Sequence, residues 1–172
     1  DTLAVLNMEA MAQAARWLRE ARAILLIGVG TSGPIATDAA NKFFRLGLLV
    51  QAITDAHLMM MAAALLTPQD VLLAVSHSGS TRDTVETAKT AKDTGAQVIC
   101  ITNNSLSPLT KTADLVLVTA SRETRFRQEA MASRLCQTSI LDSLYTLIAL
   151  NRPEEALQHL AKIENVIVTK QY

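Results

Sequence analysis

Two stretches of this chain carry side chains that could do chemistry. In Ser76-His77-Ser78-Gly79-Ser80-Thr81, four hydroxyls and a glycine follow directly on the apolar run Val71-Leu72-Leu73-Ala74-Val75. That run is short, unbroken by polar residues and ends abruptly, as a strand buried on both faces does. After Thr81 the pattern turns helical: Val85, Ala88 and Ala91 recur at helix spacing, with Asp83 and Glu86 early, where the helix dipole favours acids. A strand, a hydroxyl-rich turn and a helix make an anion site, because the first N–H groups of a helix lack internal partners and point into the turn. The plainer reading is a helix cap, for which one hydroxyl suffices. Four hydroxyls, with Gly79 allowing close backbone approach, favour a bound phosphate, and Ser76, Ser78 and Thr81 are the candidate donors.

The second stretch, Gly28-Val29-Gly30-Thr31-Ser32-Gly33, also follows an apolar run and opens a helix. Its glycine spacing is that of a dinucleotide-binding turn, and Asp55 stands about 20 residues on from the glycines, where such folds place a ribose-binding carboxylate. Three features weigh against a nicotinamide cofactor. No substrate domain fits in the chain, Thr31 and Ser32 add donors that a pyrophosphate turn does not require, and the second hydroxyl loop would have no task. Neither a cofactor nor a metal is expected.

These loops need elements to hold them. Leu3, Leu6, Met11, Ala14, Ala15 and Leu18 form a stripe at helical spacing, which predicts one lead-in helix within residues 1–21. Strands are predicted over 24–29, 48–53, 71–75, 97–101 and 115–118, with helices over 34–46, 56–66 and 84–94 between them. Residues 123–150 read as one helix about 40 Å long at 1.5 Å per residue. Pro153 opens a last helix, so a core over 22–150 is followed by a C-terminal helical segment over 151–172. Alternating strands and helices require right-handed crossovers. The expected fold is therefore α/β: a doubly wound, flavodoxin-like, five-stranded parallel sheet in an α/β/α sandwich, ordered 2-1-3-4-5, with long C-terminal helices. In that order the first and third strands are neighbours. Gly30, Thr31 and Ser32 on one side and Ser76, Ser78, Gly79 and Thr81 on the other then face one small ligand, and ring its phosphate with neutral donors and no lysine.

Composition agrees with a single domain of this kind: 172 residues, 49% hydrophobic and 19% charged. Sixteen basic residues balance sixteen acidic ones, which argues against an extended nucleic-acid footprint on this segment. Cys100 and Cys136 are far apart in apolar surroundings, so neither a disulfide framework nor a zinc knuckle is suggested, and a reducing cytoplasm is expected. No apolar run approaches the roughly 20 residues that span a bilayer, so no membrane partner is expected. The chain begins at Asp1 without a methionine, which suggests a longer parent.

The two loops, in this order and spacing, resemble the sugar isomerase (SIS) domain, a phosphosugar-binding module. Asp55-Ala56-His57, Ser107-Pro108-Leu109 before Ala113-Asp114, and Glu123, Phe126-Arg127, Ala130-Met131, Ser133-Arg134 and Gln137 resemble the effector domain of RpiR/MurR-type transcription regulators. The resemblance covers roughly residues 21–149 and makes the chain one SIS domain over 1–172. It implies that Ser32, Ser76, Ser78 and Thr81 bind a sugar phosphate, and that DNA is met through an N-terminal helix-turn-helix domain outside this chain. It also implies a homodimer or homotetramer whose DNA affinity the sugar phosphate alters.

Enzymes of the same superfamily often carry a glutamate where Ser80 stands. An aldose–ketose isomerase needs a base to move a proton between neighbouring carbons and an acid to open the ring. His57 with Glu123 or Glu129 would be the pair here, so a phosphosugar isomerase is the alternative function. His57 could equally be a plain helix-start residue. His77 alternates away from Ser76 and Ser78 and is expected to face a helix, while His159 carries no signal. Arg122, Arg125, Arg127 and Arg134 form the one basic cluster, interrupted by Glu123 and Glu129. It reads either as a solvated helix start or as a set in which Arg127, Glu129 and Arg134 approach the sugar hydroxyls. Met59-Met60-Met61 reads as core or subunit contact.

Overall fold

The computed structural model describes residues 2–121 and 131–168. In chain order the elements are α1 (Thr2–Val5), α2 (Met8–Glu20), β1 (Ile24–Gly28), α3 (Ser32–Arg45), β2 (Val50–Ile53), α4 (Ala56–Ala64) and β3 (Val71–Val75), followed by α5 (Arg82–Asp93), β4 (Gln97–Thr102), α6 (Pro108–Thr112), β5 (Leu115–Val118), α7 (Met131–Asn151) and α8 (Pro153–Val168). The five strands form one parallel sheet in the order β2-β1-β3-β4-β5. Order and parallel sense are those expected from the alternation.

Every residue of β1 and β3 is buried, as continuous apolar runs without alternation require. Within each strand successive side chains enter opposite layers. Leu26, Leu73, Ile99 and Leu117 pack with Met11, Leu18, Phe43 and Leu144 from α2, α3 and α7. Leu25, Leu72, Val98 and Cys100 pack on the other face with Met59, Val85, Ala91 and Leu109 from α4, α5 and α6. Fully burying such a side chain contributes about 1.5–3 kcal/mol. The two layers therefore fix both faces of the sheet, and with it the relative placement of the loops at its carboxyl edge.

Three differences from the expected elements have physical causes. The lead-in segment is two helices, because the Asn7 side chain accepts hydrogen bonds from Glu9 and Ala10 N–H and starts α2 afresh. The short α6 lies between the strands expected over 97–101 and 115–118, where no helix is predicted; Ser107 caps it by accepting from Thr110 N–H, and Pro108 supplies its first residue. Of the long helix expected over 123–150, α7 covers the part from Met131, and residues 123–130 lie outside the described residues. His159 also gains a role. Its Nδ1 lies 2.9 Å from the Leu46 carbonyl oxygen, and its ring covers Gly47, docking α8 against the end of α3.

At the amino edge, the fully buried Asp70 carboxylate accepts from the Arg22 guanidinium at 2.7 Å and from Thr67 N–H and Oγ1. Burial pushes this carboxyl up, but its hydrogen bonds with Arg22 and Thr67 outweigh that and hold it below the usual carboxylate range.

Candidate functional site

The loops after β1 and β3 emerge side by side, since Gly28 pairs with Val75 at the end of the two strands. Ser32 opens α3 and is 7% exposed, and Ser76 follows β3 and is 4% exposed. Ser78 and Ser80 are exposed, Thr81 is half-buried, and Gly30 and Thr31 are exposed beside them. The predicted pair of hydroxyl loops is thus assembled at the carboxyl edge of the central strands. In an open doubly wound sheet, ligands sit at this edge, where crossovers leave in opposite directions.

The first loop is shaped by backbone constraints. Gly30 has φ +58° and open space where a side chain would be. A β-carbon on Gly28 would fall 2.6 Å from the Ser32 carbonyl oxygen, so glycine there lets α3 leave the strand at once. Ser32 N–H donates to the Val29 carbonyl and Gly33 N–H to the Gly30 carbonyl, closing the turn.

In the second loop Ser76 Oγ accepts from Gly79 N–H at 3.2 Å, and Ser78 Oγ accepts from Ser80 N–H at 3.2 Å. Hydroxyls holding these backbone donors keep their own O–H free to turn outward.

Helix caps distinguish α2, α4 and α6 from the helices of this region. Asn7 caps α2, Asp55 caps α4 through Leu58 N–H, and Ser107 caps α6, each with a side-chain acceptor. The two helices that begin on the hydroxyl loops differ: Thr31 before α3 and Thr81 before α5 make no side-chain cap hydrogen bond. The cap reading of the Ser76–Thr81 hydroxyls therefore does not describe Thr81. The two starts are not alike: in α3 the Ser32 and Gly33 N–H groups are spent on the Val29 and Gly30 carbonyls and Pro34 has no N–H, so it is the start of α5 that leaves partial positive charge facing the loops, where an anion is stabilised. Asp55, considered above as a ribose ligand, is instead engaged in capping α4.

The other candidates are placed as follows. His57 is exposed in the first turn of α4, and Arg134 is exposed on α7, whereas Ser133 and Gln137 of the same helix are buried. The Gln137 side-chain nitrogen is enclosed without a hydrogen-bond partner. His77 is half-buried, with Nδ1 likewise enclosed and unpartnered. Glu123, Glu129, Arg122, Arg125 and Arg127 lie outside the described residues. Among the described residues, no group of three or more His, Cys, Asp or Glu could hold a metal ion. Burial alone pushes the Cys100 thiol up to about 12, which keeps it protonated and unreactive.

The loop after β4 has a larger part than the sequence suggested. The His77 carbonyl accepts from Asn103 N–H at 3.0 Å and from Thr102 Oγ1 at 3.1 Å, and the Gly79 carbonyl accepts from Leu109 N–H at 3.0 Å. Thr102, Asn103 and the start of α6 thus hold the second hydroxyl loop from behind. In the sequence, none of residues 102–106 stood out as a candidate.

Paired hydroxyl loops over uncapped helices, at the switch point of a doubly wound parallel sheet, define the architectural class. The model of the SIS domain family matches residues 17–147, and the chain belongs to that family. It is 37% identical over 168 residues to an HTH-type transcriptional regulator of Haemophilus influenzae, covering 98% of this chain and 58% of the relative. It is 36% identical over 163 residues to the HTH-type transcriptional regulator RpiR of Escherichia coli, covering 95% of this chain and 55% of the relative. The chain thus spans little more than half the length of these curated relatives. Among solved structures, the Vibrio vulnificus NanR protein complexed with ManNAc-6P superposes with a TM-score of 0.93 at 27% identity, covering 99% of this chain and 64% of that one.

Proposed function

We propose that this chain is the effector-binding part of an RpiR-type transcription regulator, and that it takes a sugar phosphate at the carboxyl edge of β1 and β3. The carrying observation is that α5, which starts on the second hydroxyl loop beside the first, lacks the side-chain cap found on α2, α4 and α6. In this reading Ser32, Ser76, Ser78 and Thr81 donate to the phosphate, and the N-terminus of α5 supplies the favourable field. Gly30, Thr31 and Gly79 shape the loops. His57, Glu129 and Arg134 contact the sugar. The regulators named above and the ManNAc-6P bound to NanR support a sensor of this kind.

DNA is then contacted by a helix-turn-helix domain outside this chain, in the cytoplasm. The sugar phosphate changes DNA affinity by binding two arrangements of a homo-oligomer unequally, since equal affinity would shift nothing. Helix α4 supports self-association: apart from His57 it is apolar, burying Met59 and Ala63 while Leu58 and Met61 stay exposed. Leu65 just beyond it, and Leu49 before β2, are exposed as well. Among the described residues no helix is long and apolar enough to cross a membrane.

The domain acts as a sensor rather than an isomerase. Its second hydroxyl loop presents Ser80 rather than a carboxylate. NMR of a panel of aldose and ketose phosphates in heavy water tests this. Binding without deuterium uptake beside the carbonyl is expected, and exchange or conversion would make the protein an isomerase.

A further inference from the structure

We propose that Asn103 is a positioning residue that couples the hydroxyl loop 76–81 to helix α1; the inference rests on the phosphate-binding reading above. The observation is a continuous chain of hydrogen bonds. On the loop side, Asn103 N–H donates to the His77 carbonyl, in the middle of the loop. On the far side, both ends of the Asn103 side-chain amide bond to the segment that follows β5. Its Oδ1 accepts from Ser121 N–H at 2.7 Å, Ser121 Oγ at 3.0 Å and Thr119 Oγ1 at 3.3 Å, and its Nδ2 donates to the Ser121 carbonyl at 3.3 Å.

These partners also fix the amide's orientation. A backbone N–H can only donate and a backbone carbonyl can only accept, so the oxygen must face the one and the nitrogen the other. Between the two contacts, Ala120 is held by Thr2: Thr2 Oγ1 accepts from Ala120 N–H at 3.1 Å and donates to the Ala120 carbonyl at 3.2 Å. Thr2 is the first residue of α1, and Leu6 N–H closes that turn on the Thr2 carbonyl.

Helix α1 has no buried residue, so this reciprocal pair is a specific tie to the domain. A part with little core packing has low local stability and is readily biased by a few hydrogen bonds. A phosphate held by the hydroxyls and N–H groups of the loop would fix the loop backbone, the His77 carbonyl included, and so order Asn103, then residues 119–121, then α1. The route ends on the element that leads toward the chain's beginning, where the sequence reading expects the DNA-binding domain.

Position between two sites is not coupling, so the test measures coupling directly. Inorganic phosphate is titrated into this chain and into its Asn103→Ala and Thr2→Val variants while backbone amide shifts are followed by NMR. Phosphate is expected to move the amides of residues 76–84 in all three proteins. It is expected to move those of Leu3–Leu6 in the parent, with that response lost in both variants. If 76–84 respond while Leu3–Leu6 stay still in the parent, or move equally in the variants, the relay is overturned. If 76–84 do not respond in the parent, the phosphate reading falls and the relay with it, so the two failures are distinct. Thr2→Val removes one hydroxyl from a partly exposed helix and carries the test by itself if Asn103→Ala does not fold.

Discussion

A β-carbon on Gly79 would fall 2.2 Å from Ser107 Oγ and 2.9 Å from Thr102 Oγ1, and Gly79 has φ +63°. The hydroxyl loop therefore lies directly against the cap of α6, and no larger residue fits without moving that cap. Left-handed backbone costs a non-glycine residue about 1–2 kcal/mol before any clash is counted. Gly79→Ala should lower stability by more than that and weaken ligand binding, as read by denaturant unfolding and calorimetry. A stable variant with parental affinity would show that the loop's fit against Ser107 is unimportant.

Ser76 and Ser78 should separate by readout. Ser76 is buried and its Oγ accepts from Gly79 N–H, so Ser76→Ala removes a loop hydrogen bond as well as a ligand donor. It should cost about 1 kcal/mol of stability in addition to affinity. Ser78 Oγ also accepts from a loop donor, Ser80 N–H, but both residues are exposed and water replaces that bond, so Ser78→Ala should leave unfolding nearly unchanged while weakening sugar phosphate binding roughly tenfold, the scale of one hydrogen bond to a charged group.

Much of the fold and of the candidate site was legible in the sequence. The unbroken apolar runs of β1 and β3 identified two central strands, and the hydroxyls after them marked the candidate site, because buried parallel strands carry their chemistry at their ends. Side-chain capping was not legible. Thr81 and Ser107 are both hydroxyl residues directly before helices, yet only Ser107 caps, a difference set by backbone geometry and packing rather than residue type. The role of Asn103 was hidden for a similar reason: its partners at Thr119 and Ser121 are brought near only by the pairing of β4 with β5. The break at Asn7 was hidden under an apolar stripe that runs through both α1 and α2.

Stability should fall in acid through Asp70. Its carboxyl sits below the usual value when folded, so its contribution is complete above the unfolded value near 4 and is lost as pH drops through the lower folded value. Asp70→Asn should be less stable at neutral pH, by about 1–3 kcal/mol, and should show a shallower decline below about pH 4. Thermal melts across that range check it, and identical acid slopes for the two proteins would contradict it.

Self-association should depend on the apolar surface of α4. Leu58→Lys with Leu65→Glu places charge on exposed positions and should leave the fold intact while shifting the protein toward monomer in light scattering. An unchanged mass would move the oligomer contact elsewhere.

The central claim is that the two hydroxyl loops, with the uncapped start of α5, hold the phosphate of a sugar phosphate. Calorimetric titration of this chain and Ser78→Ala with a panel of sugar phosphates, each beside its unphosphorylated sugar, tests it most directly. Saturable binding of at least one phosphorylated sugar, absent for its unphosphorylated form and weakened in Ser78→Ala, is the predicted result. Equal binding of the sugar with and without phosphate, or parental affinity in Ser78→Ala, would contradict it.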